Sequence, residues 1–151
     1  MALSFLSVTD DAGALVAGEW LPRAENVHRQ LRGDLPPGHD PYLAVMTKVC
    51  AGGARLCLAA EGEHVKGLAL WRIVDNTHEG RRLYVDDLVT DAACRSQGVG
   101  KALIGWLERR ARELGCDVLA LDSGVQRAGA HRFYFRESFA ISSFCFRKEL
   151  I

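Results

Sequence analysis

The chain has 151 residues, 48% of them hydrophobic and 25% charged, which suits one compact soluble domain spanning residues 1–151. Lys plus Arg and Asp plus Glu each number 19, and a net charge of zero argues against nucleic acid or an anionic membrane as the main partner. No apolar run is long enough to cross a bilayer, the first residues lack a signal-peptide pattern, and the five cysteines contain no C-x-x-C pair, so reduced thiols in a cytoplasmic protein are expected.

In chain order, residues 3–8 read as a first strand. Residues 10–33 carry helical spacing, with a break expected at Pro22. Pro36, Pro37, Gly38 and Pro41 mark a loop over 34–41, and 42–51 reads as a short helix. Strands follow at 55–60, 65–74 and 83–90, joined by the polar turns 61–63 and 75–80, the pattern of an antiparallel meander. The period then changes. Val99, Leu103, Leu107, Ala111 and Leu114 fall on one helical face, and Gly115 gives a natural stop. A strand at 117–121, a helix at 126–137 and a last strand at 143–150 complete the reading. A strand, a crossover helix and a strand over 83–121 imply one parallel pair in an otherwise antiparallel sheet, so the class is α+β, or mixed α/β.

The turn between that third strand and its helix reads Arg95-Ser96-Gln97-Gly98-Val99-Gly100-Lys101. Glycines there let a ligand approach the backbone, because no Cβ intervenes. The first turn of a helix presents N–H groups without intrahelical acceptors at the positive end of the macrodipole. With Arg95 at the mouth, these features suit a phosphate or pyrophosphate. A Walker A loop is excluded, since Arg95 stands where its first glycine belongs and Ala102 follows Lys101. A Rossmann fingerprint is excluded by Leu103 at its third glycine position. A bare G-x-G makes a tight turn and no more; Arg95 and the strand–turn–helix setting add the anion-binding chemistry.

Asp87-Leu88-Val89-Thr90-Asp91 followed by the R-x-x-G-x-G turn resembles motif A of the GCN5-related N-acetyltransferase (GNAT) family. Residues 119–123 (Leu-Ala-Leu-Asp-Ser), then Ala130, His131, Arg132, Phe133, Tyr134 and Phe139, resemble its motif B. The likeness covers about residues 83–140. It implies a mixed, mostly antiparallel twisted sheet flanked by helices, splayed at a central parallel pair, with acetyl-CoA as cosubstrate and no metal. Leu88, Val89 and Thr90 would pair with the pantetheine arm, and the turn from Arg95 and Ser96 through Gln97, Gly98, Val99, Gly100 and Lys101 would hold the pyrophosphate. Two positions depart from the family pattern: Arg127 stands where Asn is frequent, and Ser138 stands where Gly is common before the last Phe.

Acetyl transfer to an amine needs loss of an ammonium proton, hydrogen-bond donors for the developing oxyanion and a proton for the leaving thiolate. Tyr134 is the expected general acid, since a phenol of pKa about 10 lies near a thiol of about 8.5. Asp87 and Asp122 are the candidate bases, ahead of Asp86, and a carboxylate in that role needs its pKa raised by burial. The Val89 N–H is the expected donor to the acetyl carbonyl. His28 and His39 fall near the expected acceptor side and read more simply as surface residues; His64, His78 and His131 show no metal spacing. Trp20 and Trp71 fit either an acceptor pocket or the core. The function expected is an acetyl-CoA-dependent N-acetyltransferase acting on a primary amine of a small molecule, a peptide N-terminus or a lysine, as a monomer or as a homodimer through its last strand. The alternative is a CoA-binding module without catalysis, serving as a sensor or interaction domain.

Overall fold

Alternating apolar residues lay down consecutive antiparallel strands in the computed structural model, which describes residues 2–151. They are β1 (Ser4–Ser7), β2 (Arg55–Glu61), β3 (His64–Asn76) and β4 (Gly80–Thr90), with β5 (Val118–Leu121) completing a sheet in sequence order. The pairs β1–β2, β2–β3 and β3–β4 are antiparallel, and β5 lies parallel to β4. The expected meander and the parallel pair are both present.

Period-2 alternation sorts the strand residues to two faces. Leu56, Leu58, Leu68 and Leu70 form one core with Leu21, Ala24 and Val27 of α1 (Leu21–Leu31) and with Tyr42 and Met46 of α2 (His39–Ala51). On the other face, α3 (Val99–Glu113) buries Val99, Leu103, Ile104 and Leu107. Trp71 belongs to that second layer: it is buried, and its ring meets Trp106 edge-on at 6.0 Å. Gly67 allows the close approach of helix to sheet. A Cβ there would lie 2.9 Å from Val99 Cγ1, 3.0 Å from Leu103 Cδ1 and 3.0 Å from the Val89 carbonyl oxygen.

Two expected elements differ. The helix expected over 10–33 is confined to α1, preceded by a 3-10 turn at Gly18–Trp20. Pro22 opens this helix instead of breaking it, because the first turn needs no N–H from it. The strand expected at 143–150 is absent; those residues are irregular and exposed, Phe144 and Phe146 among them. The segment has the alternation of a strand, but a strand exists only in a ladder, and none forms along it.

Contacts divide the chain into two units, one ending at Ala120 and the other Leu121–Ile151. The second contains α4 (Ala128–Arg136), which ends in a left-handed residue, Ser138, at φ 68°. The Ser138 and Phe139 N–H groups donate to the Phe135 and Tyr134 carbonyls at 3.1 and 2.9 Å, closing the helix. A position held at positive φ explains why glycine suits it, and here serine bears that conformation.

Candidate active site

β5 enters the sheet beside Arg81, where the Asp117 N–H donates to the Arg81 carbonyl at 2.7 Å. It has 4 residues against the 11 of β4, so it accompanies only the first part of that strand. The end of β4 keeps its ladder to β3, with Leu88 opposite Ala69, Val89 opposite Leu68 and Thr90 opposite Gly67. Its other edge carries backbone groups that β5 is too short to reach. A parallel partner that stops early thus leaves a strip of donors and acceptors on β4.

The chain leaves this strip through a 3-10 turn, Ala92–Cys94, capped by Asp91, whose side chain accepts from the Ala93 N–H. Arg95, Ser96, Gln97 and Gly98 are exposed. Ser96 and Gly98 take positive φ, 64° and 79°, folding the backbone into a concave turn against the start of α3. The first hydrogen bond of α3 runs from the Ala102 N–H to the Gly98 carbonyl. The N–H groups of Val99, Gly100 and Lys101 therefore precede the helical ladder and can serve an anion. Val99 is buried and pins the turn to the sheet, while Lys101 is exposed beside it.

On the α1 side of the sheet the structure assembles a polar cluster that the sequence does not announce. The Asp87 carboxylate is buried against α1, with His28 Nε2 at 2.6 Å from Oδ2 and Arg32 Nε donating to Oδ1 at 2.7 Å. A carboxylate only accepts, so Nε2 carries the proton, and in the neutral ring Nδ1 accepts from the Tyr42 hydroxyl at 3.0 Å. Burial alone would push the Asp87 carboxyl up, but the hydrogen bonds from His28 and Arg32, and the Arg32 charge, hold it below the usual carboxylate range. Burial pushes the Tyr42 phenol well above its ordinary value, reinforced by Glu25. Asp86 lies at an irregularity of the β3–β4 register and is paired instead with Arg72, whose Nε donates to it at 2.9 Å.

His28 is 2% exposed, which corrects its reading as a surface residue. The spacing Leu21, Ala24, Val27, His28, Leu31 places it on the apolar stripe of α1, and that was the available signal. His39 lies on the surface, with Nδ1 at 2.7 Å from Glu25 Oε1. Arg29 was also missed. It donates to the carbonyls of Leu35, Pro36 and Gly38 at 2.8–3.0 Å and so fastens the loop after α1. That loop, α1 and α2 line an open pocket of about 370 Å³, apolar along Leu31, Leu35 and Met46 and polar where Arg32 and Asp87 reach it.

Two expected residues lie in the second unit. Asp122 directly follows β5 and is exposed. Tyr134 lies on α4 between Phe133 and Phe139, with ring centroids at 5.4 and 5.6 Å. Burial pushes its phenol up, with Arg127 opposing.

Residues 23–139 match the family model described as the acetyltransferase (GNAT) family. An uncharacterized N-acetyltransferase, YhdJ, of Bacillus subtilis (strain 168) is 47% identical over 72 residues, 47% of this chain and 51% of that protein. An aminoalkylphosphonate N-acetyltransferase of Salmonella typhimurium is 38% identical over 66 residues, 44% of this chain and 43% of that protein. The chain thus spans about half the length of the curated relatives it matches. An acetyltransferase structure from Trypanosoma brucei has the same fold, with a TM-score of 0.76 at 21% identity, over 99% of this chain and 100% of that one. Among the described residues, no helix is long and apolar enough to cross a membrane.

Proposed function

This chain belongs to the GNAT acetyltransferase family, and from that premise we propose that it transfers the acetyl group of acetyl-CoA to a primary amine of a small molecule. The observation that carries the reading is the junction of β4 with α3: a strand end that the 4-residue β5 is too short to accompany leads, through one 3-10 turn, into a turn with two positive-φ residues and then a helix start whose first N–H groups precede the helical ladder. These are the two features a long, phosphorylated thioester cosubstrate requires. Leu88, Val89 and Thr90 would pair with its pantetheine amides, and the amides of Gln97 to Lys101, with Arg95, would hold its pyrophosphate.

The cosubstrate supplies an activated acetyl group; the chain supplies placement and proton handling. The Val89 N–H is the proposed donor to the acetyl carbonyl. Tyr134 is the proposed acid toward the departing thiolate. Asp87 takes a different part from the base that sequence reasoning expects. Both of its oxygens are engaged and its proton affinity is lowered, so it anchors His28 and Arg32 and shapes the pocket wall. Asp122 is exposed and so lacks the burial that would suit it to hold the amine proton; its proposed part as base is to pass that proton on through water. The pocket beside Asp87 is of a size that takes small ligands. The relative named for aminoalkylphosphonates supports an acceptor of that class.

The test is thiol release from acetyl-CoA across a panel of small amines, amino acids and lysine peptides. Release stimulated by small amines, with Arg95→Ala raising the KM for acetyl-CoA at least fivefold, is expected. Tight CoA binding without thiol release across the whole panel would instead identify a CoA-binding module.

A further inference from the structure

His64 lies far in the chain from Asp91 and Cys94, and the three have no part in the proposed pyrophosphate turn or the pocket. Their side-chain ligand atoms nonetheless lie within 4.8 Å of one another. We propose that they form a binding site for a divalent ion of the zinc class, with a fourth position open to water.

Two of the three ligands come from one tight turn. Asp91 caps the 3-10 turn and Cys94 ends it, so they stand at i and i+3, and side chains so spaced nearly eclipse in a 3-10 turn. The spacing D-x-x-C does for a carboxylate and a thiol what a C-x-x-C knuckle does for two thiols. The Cys94 N–H also donates to the Asp91 carbonyl at 2.8 Å, which holds the turn closed. The third ligand comes from the first residue of β3. His64 Nε2 lies 3.1 Å from Asp91 Oδ2. Tetrahedral ligands about 2.1 Å from an ion stand about 3.4 Å apart, so these two atoms are already near the required separation.

The carboxylate is also oriented from behind. Its other oxygen, Oδ1, accepts from Gln30 Nε2 at 3.1 Å and from the Ala93 N–H at 3.2 Å. Such outer hydrogen bonds fix a metal ligand before the metal arrives. Cys94 is buried, whereas the His64 side chain is 54% exposed, so the site is walled on the thiol side and open on the imidazole side. One nitrogen, one sulfur and one oxygen ligand suit zinc or cobalt better than magnesium or calcium, which prefer oxygen alone. Binding would replace the Nε2–H contact with a metal bond, the neutral ring keeping its one proton on Nδ1, and send the Cys94 thiol proton to solvent. Because Cys94 immediately precedes Arg95, an ion here would tie the start of β3 to the proposed pyrophosphate turn.

The experiment is titration of tag-free, metal-stripped full chain with Co²⁺. The expected result is one cobalt per chain at micromolar or lower Kd, with a thiolate-to-cobalt charge-transfer band and the strong visible bands of a tetrahedral site. Zn²⁺ should displace the cobalt and raise the Tm. Cys94→Ser should abolish the charge-transfer band, and His64→Ala, an exposed change that leaves the core intact, should weaken binding at least tenfold. Cys145→Ser, which removes the exposed thiol, should change neither. Absence of the band, its survival in Cys94→Ser, its loss in Cys145→Ser or unchanged affinity in His64→Ala would overturn the proposal. None of these readouts depends on acetyl transfer, so the site and the enzymatic reading stand or fall separately.

Discussion

His28 Nε2 lies 2.6 Å from Asp87 Oδ2, with His28 2% and Asp87 7% exposed, and this contact joins the middle of α1 to β4. Removing the imidazole would leave a buried carboxylate short of a donor, the Tyr42 hydroxyl short of an acceptor and a void in the α1 stripe. His28→Ala should therefore destabilise the fold by about 3 kcal/mol. His28→Gln, which keeps a donor and an acceptor, should recover part of that loss. Urea unfolding monitored by tryptophan fluorescence measures both; a change within 0.5 kcal/mol, roughly the size of an ordinary surface substitution, would show that the cluster contributes little.

The same cluster makes stability depend on acid. The Asp87 carboxyl is held below its ordinary value in the folded chain, so its contribution is fully present above the unfolded value, near pH 4. It is lost as pH falls through the lower folded value. Wild-type unfolding midpoints should thus drop more steeply below about pH 4 than those of Asp87→Asn, which has no carboxyl to protonate. Above that range the variant should be the less stable of the two at every pH. Parallel curves for the two proteins in acid would mean that other carboxylates govern the acid limb.

Gly67 tests how the sheet sets the proposed pyrophosphate turn. In Gly67→Ala the new methyl would meet Val99, Leu103 and the Val89 carbonyl oxygen at 2.9–3.0 Å, and the last of these is backbone that cannot rotate away. Helix α3 must lift, at a cost of about 1–3 kcal/mol. Its first residue, Val99, belongs to the proposed pyrophosphate turn, so the KM for acetyl-CoA should rise several-fold while the KM for the amine changes less. Equal effects on both constants would point to general loosening of the fold.

The sheet was legible because its strands alternate and its turns are short. The change from period 2 before Thr90 to period 3.6 after Gly98 marks the strand–turn–helix junction that contains the proposed pyrophosphate turn. Pro22 was misread because a proline is neutral at a helix start and disruptive inside, and spacing alone does not say where the helix begins. The strand expected at 143–150 fails for a related reason: Phe144 and Phe146 stand two apart, as on one face of a strand, but that spacing does not supply a partner strand. His28 was half-legible, since its place on the α1 stripe follows from spacing, whereas its pairing with Asp87, 59 residues on, is made by the tertiary fold. The His64, Asp91 and Cys94 cluster had no linear signature at all for its imidazole.

Ser138 offers a stabilising substitution. It holds φ 68° after α4, a conformation in which any Cβ is crowded by backbone. Ser138→Gly removes that strain and should raise stability by about 1 kcal/mol. The hydrogen bonds of Ser138 and Phe139 that close the helix are made by the backbone and remain available. A higher Tm with unchanged turnover is expected; a lower Tm would mean that the greater freedom of glycine in the unfolded chain outweighs the strain.

Tyr134→Phe isolates the proposed acid from its packing. The ring contacts with Phe133 and Phe139 survive the change, so the fold and the KM for acetyl-CoA should be unaltered. Turnover should fall at least tenfold, within the usual range for loss of a general acid. Burial pushes the phenol above its ordinary value of 10.0, and Arg127 only partly opposes that shift. The acid form therefore persists through neutral pH, and the alkaline limb of kcat due to this group should lie above pH 10 in the wild type. That limb should be missing from the variant, because phenylalanine has no proton to lose. A variant that keeps full turnover would take Tyr134 out of the reaction and leave the thiolate to be protonated by water.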